Sequence, residues 1–250
     1  YVKRAEHYGC FAGEREKSFG FHFPGNDKPY TPVDFRMNAD TVLKRLATDC
    51  PGPAIWACFR YGDDAMAARL IAALDSTDSE YLTGNAAIAL GIMGRREGLP
   101  ILRKLVRERD CFYFKDCRRS NQFRSVIAIC LLGRLGERED LTLLSEIVFD
   151  DGEFDKPLYH TLAPNYLFSS LKDCNYVLFQ HFTHAAMAMV KLAKRFGTEL
   201  SAAFDKRFSG ASRVRILKAM TTQPPTGAFF GEVSDFMDYV CKRCRKALDR

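Results

Sequence analysis

Eighteen residues beginning at Ala89, ALGIMGRREGLPILRKLV, return 42 positions later as LLGRLGEREDLTLLSEIV, beginning at Leu131. Gly91 falls on Gly133, Gly94 on Gly136, Leu99 on Leu141, Leu102 on Leu144, Leu105 on Ile147 and Val106 on Val148. A chain that repeats at this interval writes one supersecondary unit more than once, and such units bury their apolar faces against their neighbours. A period near 40 residues accommodates two short helices and a turn. The repeat therefore restricts the fold to stacked helix pairs.

Within each unit the apolar residues recur at helical spacing. The first helix carries Ala86, Ile88 to Leu90 and Met93 in one copy, and Phe123, Val126, Ile127, Cys130 and Leu131 in the next. The second carries a stripe of Leu99, Leu102, Leu105 and Val106. Between them stand Gly94 and Gly136, where the chain must turn. Glycine adopts positive φ after a helix end without steric cost, and that conformation is expected at both positions.

The combination of small residues in helix one, LGxxG, a few charges and a leucine-striped second helix resembles a HEAT repeat of the short bacterial, PBS-lyase-like type. The resemblance covers residues 79–110 and 121–151. A degenerate earlier unit lies in AIWACFRYGDDAMAARLIAALDS, with Gly62 at the turn and Leu70 and Leu74 continuing the stripe. A later one lies in FTHAAMAMVKLAKRFGTELSAAFDKRF, with Gly197 at the turn but no LGxxG. Helices near Arg213 to Met220 and Glu232 to Leu248 would close the array as an atypical cap. The expected fold is all-α: a right-handed α-solenoid of three to five stacked antiparallel helix pairs over residues 39–250, with residues 1–38 as an irregular extension packed on it.

Three segments depart from the repeat. Residues 1–38, rich in Gly, Pro and aromatics, precede a helix expected to start near Asp40. The insertion CFYFKDCRRS, Cys111 to Ser120, separates the two best units, and Asp151 to Cys174 forms a long connection with Pro157 and Pro164. Long connections inside compact domains are often functional.

Composition narrows the class. Hydrophobic residues make up 47% of 250, enough for an ordinary core. No run of about 18 apolar residues stands free of charge, so no membrane span is expected, nor does the amino terminus carry a signal-peptide core. Nine cysteines, an odd number with several in apolar runs, point to a reducing, cytoplasmic setting. The chain begins at Tyr1, which suggests a piece of a longer protein.

Candidate contacts follow from the resemblance, in which second helices line the concave face. There Arg103, Lys104 and Arg107 are the expected partner-binding residues, Arg103 and Arg107 sharing a face four residues apart. Phe112 and Tyr113 of the insertion join them as docking aromatics, although aromatics here, with Phe114, Tyr159 and Tyr166, can equally plug the gap an insertion opens. The basic face does not continue: at the repeat offset Arg103, Lys104 and Arg107 become Ser145, Glu146 and Phe149. From Arg134 to Asp155 eight acidic residues stand against two basic ones. Phosphate backbones need many neutralising contacts in a row, so this pattern and a net charge of only +6 argue against nucleic acid.

Cys241 and Cys244 have CxxC spacing but no second pair nearby to complete a four-ligand zinc site, so no metal is assigned. His181 and His184 lie three apart in FQHFTHAAM and, with His160, are the residues a ligand pocket under the 151–174 connection would use. No P-loop, GxGxxG, GxSxG or carboxylate pair stands in a supporting context, and no cofactor or catalytic residue is assigned. The expected function is a non-catalytic scaffold that holds a protein partner or another domain of its parent chain. The alternative is an accessory domain of a larger enzyme such as an oxidoreductase.

Overall fold

A computed structural model describes residues 36–76, 79, 81–110, 113–115, 121–152, 176–220, 241–242, 244 and 246–248. These residues are helical apart from one short hairpin and the turns. The amino-terminal extension up to residue 35, Phe112, and the 153–175 connection with Tyr159, His160 and Tyr166 lie outside them.

The first helix, α1, runs Ala39–Leu46; Asn38 caps it, its side chain accepting from the Thr41 N–H at 2.8 Å. Four helix pairs follow. They are α2 (Gly52–Tyr61) with α3 (Asp64–Ala72), α4 (Leu82–Ile92) with α5 (Leu99–Arg107), α6 (Arg124–Leu135) with α7 (Asp140–Val148), and α8 (Tyr176–Phe196) with α9 (Ser201–Arg207). Helix α10 (Gly210–Met220) comes next, and the described residues among 241–248 are also helical. The insertion forms a hairpin of β1 (Tyr113–Lys115) and β2 (Asn121–Phe123), antiparallel with Tyr113 opposite Phe123. Phe123, expected inside the first helix, instead ends β2 in extended conformation at the mouth of α6.

Packing follows sequence order. Helix α2 contacts α4, α4 contacts α6 and α6 contacts α8, while α3, α5 and α7 each pack on the first helix of the following pair. The two best repeats supply the middle of the core. In α4 every residue from Gly84 to Ile92 is buried, and in α6 every residue from Arg124 to Gly133. A helix apolar on all sides belongs inside, covered all round. Helix α5 is amphipathic by contrast, burying Leu99, Leu102, Leu105 and Val106 and presenting Lys104 and Arg107 to water.

The first glycine of each LGxxG is a packing device. A Cβ on Gly91 would come within 2.8 Å of Leu131 Cδ1, and one on Gly133 within 2.7 Å of Ala188 Cβ and 2.8 Å of its Cα. Real Cβ atoms do not approach that closely; the Leu131 methyl can move aside, but the Ala188 backbone cannot, so glycine at 133 is what lets α6 and α8 touch.

The second glycine serves two different turns. Gly94 has φ +86°, and the Arg95 N–H reaches back to Leu90 O at 2.9 Å, closing α4 as a Schellman turn. Gly136, expected to do the same, has φ −59° and ψ 175°, an extended conformation open to any residue. Glycine is required there by crowding instead. A Cβ would lie 2.4 Å from Leu132 O and 2.7 Å from Asp140 Oδ2, because the Asp140 carboxylate folds back to accept the Glu137 N–H at 2.7 Å.

Candidate functional site

The charged residues of the two best repeats are the place to look for a binding surface, and most of them are engaged within the protein. Arg95 reaches back to Asp64 of the preceding pair, while Arg96 reaches forward to Glu137 at 3.1 Å. Arg103 also reaches forward. Its Nε donates to Asp140 Oδ1 at 2.7 Å, and its Nη2 to Glu137 at 2.6 Å and Asp140 Oδ2 at 3.0 Å. The acidic run that breaks the basic track in sequence is thus the counter-charge of the preceding unit.

This geometry sorts the three basic candidates on α5. The Arg103 side chain is only 21% exposed and the Asp140 side chain 2%. Hydrogen bonding to Asp140 raises the Arg103 pKa above its ordinary value, which keeps the guanidinium charged. Lys104 is exposed, 3.9 Å from Glu108 in an i,i+4 pair of the kind worth little in water. Arg107 is exposed. Truncating Arg103 to Ala is expected to cost about 3 kcal/mol by leaving Asp140 buried and uncompensated, and truncating Lys104 less than about 0.5 kcal/mol. Chemical denaturation of the two variants checks this.

Of the aromatic candidates, Tyr113 lies on β1 and Phe112 outside the described residues. The hairpin's second strand leads directly into Arg124 and Ser125, the first residues of α6, both buried.

Arg124 is 3% exposed and holds Asp110 with two parallel bonds of 2.9 and 2.6 Å. Its Nη1 donates to Tyr81 O at 3.3 Å, and the guanidinium stands 5.9 Å from the centroid of the Tyr81 ring. Gly84 makes room for it, since a Cβ there would meet Arg124 Nη1 at 2.9 Å. Ser125 donates to Asp110 O at 2.7 Å, and its Oγ lies 2.8 Å from His181 Nε2. The Ser125 hydroxyl thus links His181 of α8 to the backbone carbonyl of Asp110. His184 turns elsewhere, donating from Nδ1 to Gln180 O at 2.8 Å, and burial holds it below the usual histidine range. The two histidines therefore share α8 without converging on one site.

Burial pushes the Cys58 thiol up to about 12, the range of an inert core residue. Cys241 and Cys244 are buried, with Cys244 Sγ 3.5 Å from Met187 Sδ. Among the described residues no group of three His, Cys, Asp or Glu side chains is placed to hold a metal ion. No described helix is long and apolar enough to cross a membrane.

One recurring element has no counterpart in the sequence reading. Arg134 of α6 donates to Ile92 O at the end of α4 (3.4 Å), and Arg195 of α8 to Gly133 O (2.9 Å) and Gly136 O (3.0 Å) at the end of α6. Arg207 of α9 donates to Val148 O at the end of α7 (2.7 Å), and Arg138 to Phe196 O at the end of α8 (2.9 Å). Asn85 does the same for α1, its amide donating to Leu46 O at 2.8 Å and Thr48 O at 3.3 Å. The last carbonyls of a helix lack intrahelical donors and carry partial negative charge, so a cation or amide from a neighbouring element satisfies both needs. The available signal was an arginine two residues before the turn glycine, in Arg134-Leu135-Gly136 and again in Arg195-Phe196-Gly197.

No protein-family model matches the chain, and no curated protein or solved structure matches it.

Proposed function

We infer that the chain is a non-catalytic interaction scaffold: a short, right-handed HEAT-like solenoid holding a protein partner, or another domain of the same parent chain, on its second helices and inserted loops. The single observation that carries this reading is the division of labour on α5. Its leucine stripe is consumed by the core and Arg103 by the next unit, while Lys104 and Arg107 stand in water beside them. The in-order packing of α2, α4, α6 and α8 supports the solenoid, since repeat arrays bury each unit against its neighbours and offer an extended surface for binding.

Affinity capture with this chain as bait, beside a Lys104→Glu/Arg107→Glu variant, tests the reading. Arg103 is left alone, because its reversal would break the core ion pair. The two exposed reversals are expected to leave the melting temperature within about 2 °C while releasing a protein that the native chain retains. Capture of nothing by the native chain would count against the scaffold. Equal retention by both forms would move the contact off α5.

A further inference from the structure

The turn between α6 and α7 gathers several arginines, and their bonding is lopsided. Arg96 and Arg103 both reach Glu137, and Arg103 also takes Asp140, so two carboxylates are shared by two guanidinium groups. Arg195 arrives from α8 onto Gly133 O and Gly136 O, and Arg138 leaves the same turn for Phe196 O. Their hydrogen bonds go to backbone carbonyls, whose helix-end dipoles offset only about half a charge. Exposed Glu139 lies in the turn and half-buried Arg134 at its start. Arg96, Arg103, Arg134, Arg138 and Arg195 thus share one edge with Glu97, Glu137, Glu139, Asp140 and Glu199, and Arg138 and Arg195 bond to backbone carbonyls rather than to any of these carboxylates.

The charge of the whole chain points the same way. Residues 36–152 carry seventeen Lys or Arg and seventeen Asp or Glu, whereas residues 176–220 carry eight against two. The net charge of +6 is therefore concentrated in the part that supplies Arg195. Burial, and then the nearby Arg96 charge, hold the Arg195 pKa below its ordinary value, as expected where like charges approach.

We propose that this arginine edge, formed by Arg96, Arg138 and Arg195, is a docking surface for a carboxylate-rich segment of a partner protein. The proposal rests on the scaffold reading and adds a second surface and a partner chemistry to it. Arg96 and Arg138 are exposed, and a guanidinium with donors to spare pairs with carboxylates in a planar fork. Exposed Glu97, Glu139 and Glu199 interrupt the basic residues, so the edge fits a short acidic segment rather than a continuous phosphate backbone.

The test is fluorescence anisotropy at low salt with a labelled hexaglutamate peptide and a labelled single-stranded oligonucleotide of matched charge. Both probes are titrated with the native chain, with Arg96→Gln/Arg138→Gln, and with Lys104→Glu/Arg107→Glu. Arg195 is spared because its loss would orphan two helix-end carbonyls. The peptide is expected to bind and to weaken about tenfold in the Arg96/Arg138 variant, with the α5 reversal changing it less than about twofold. Tighter binding of the oligonucleotide, absence of peptide binding, or loss confined to the α5 reversal would each overturn the arginine edge. None of these would by itself remove the scaffold, which stands or falls on capture of a partner by the native chain.

Discussion

Replacing Arg124 by alanine is expected to lower stability by about 4 kcal/mol and the melting temperature by about 10 °C for a chain of this length. The size follows from what is left behind. The Arg124 and Asp110 side chains are 4% and 11% exposed, and the guanidinium makes both carboxylate bonds, one to Tyr81 O and the contact with the Tyr81 ring. Without it Asp110 loses both of those bonds in a low-dielectric interior, and a void opens beside Gly84. An Arg124→Met/Asp110→Asn double variant keeps the volume and removes both charges. It is expected to recover more than half of the loss, because a buried pair replaced by neutral groups of similar size is often close to neutral. Differential scanning calorimetry of the single and double variants measures both quantities. A single variant that melted within 2 °C of the native chain would show that the ion pair has little structural weight.

Arg124 also marks where the sequence stops being legible. Its neighbours Val126, Ile127, Cys130 and Leu131 announce a buried helix by their spacing, and they lie on α6. A burial pattern is a property of one segment against an averaged interior, so spacing alone conveys it. Arg124 at the head of that pattern reads as a solvated helix start. Only the hairpin, which returns the chain so that Asp110 and Arg124 meet, makes it a core residue. Arg103 misleads in the same way: its partners Glu137 and Asp140 are more than 30 positions away, and in sequence they look like an interruption of a basic face. Lys104 and Arg107, whose exposure depends only on the α5 stripe, were legible.

The turn glycines show the limit more finely. Gly94 and Gly136 are equivalent in the repeat, and one conformational explanation serves both until the angles are known. The Schellman closure at Gly94 is local and could be read from the glycine alone. The crowding at Gly136 comes from Leu132 O together with Asp140, which stands at the repeat position of Gly98 and folds its carboxylate into the turn. The helix-end arginines leave only a faint mark in the sequence, an arginine two residues before the turn glycine, since Arg134 and Arg195 each cap the helix of a different unit.

Substituting Gly133 by leucine is expected to cost about 3 kcal/mol even though leucine is the better helix former. The first added atom would already lie 2.8 Å from the Ala188 Cα, and backbone cannot rotate aside as a side chain can. Helices α6 and α8 must therefore separate, and Phe182, Ala185 and Met189 on the buried side of α8 lose contacts with the core. The consequence reaches the turn edge. Arg195 holds Gly133 O and Gly136 O from α8, so separation withdraws it from the end of α6 and shifts it relative to Arg96 and Arg138. Gly133→Leu is expected to lower the melting temperature and weaken hexaglutamate binding together, whereas Arg96→Gln/Arg138→Gln, at two exposed positions, weakens binding at a cost of about 1 kcal/mol or less in stability. Ala188→Gly in the leucine background removes the nearer Cβ contact and should restore part of both losses. If binding survived in Gly133→Leu while the melting temperature fell, the acidic peptide would be held by residues other than Arg195, and the arginine edge would reduce to its two exposed members.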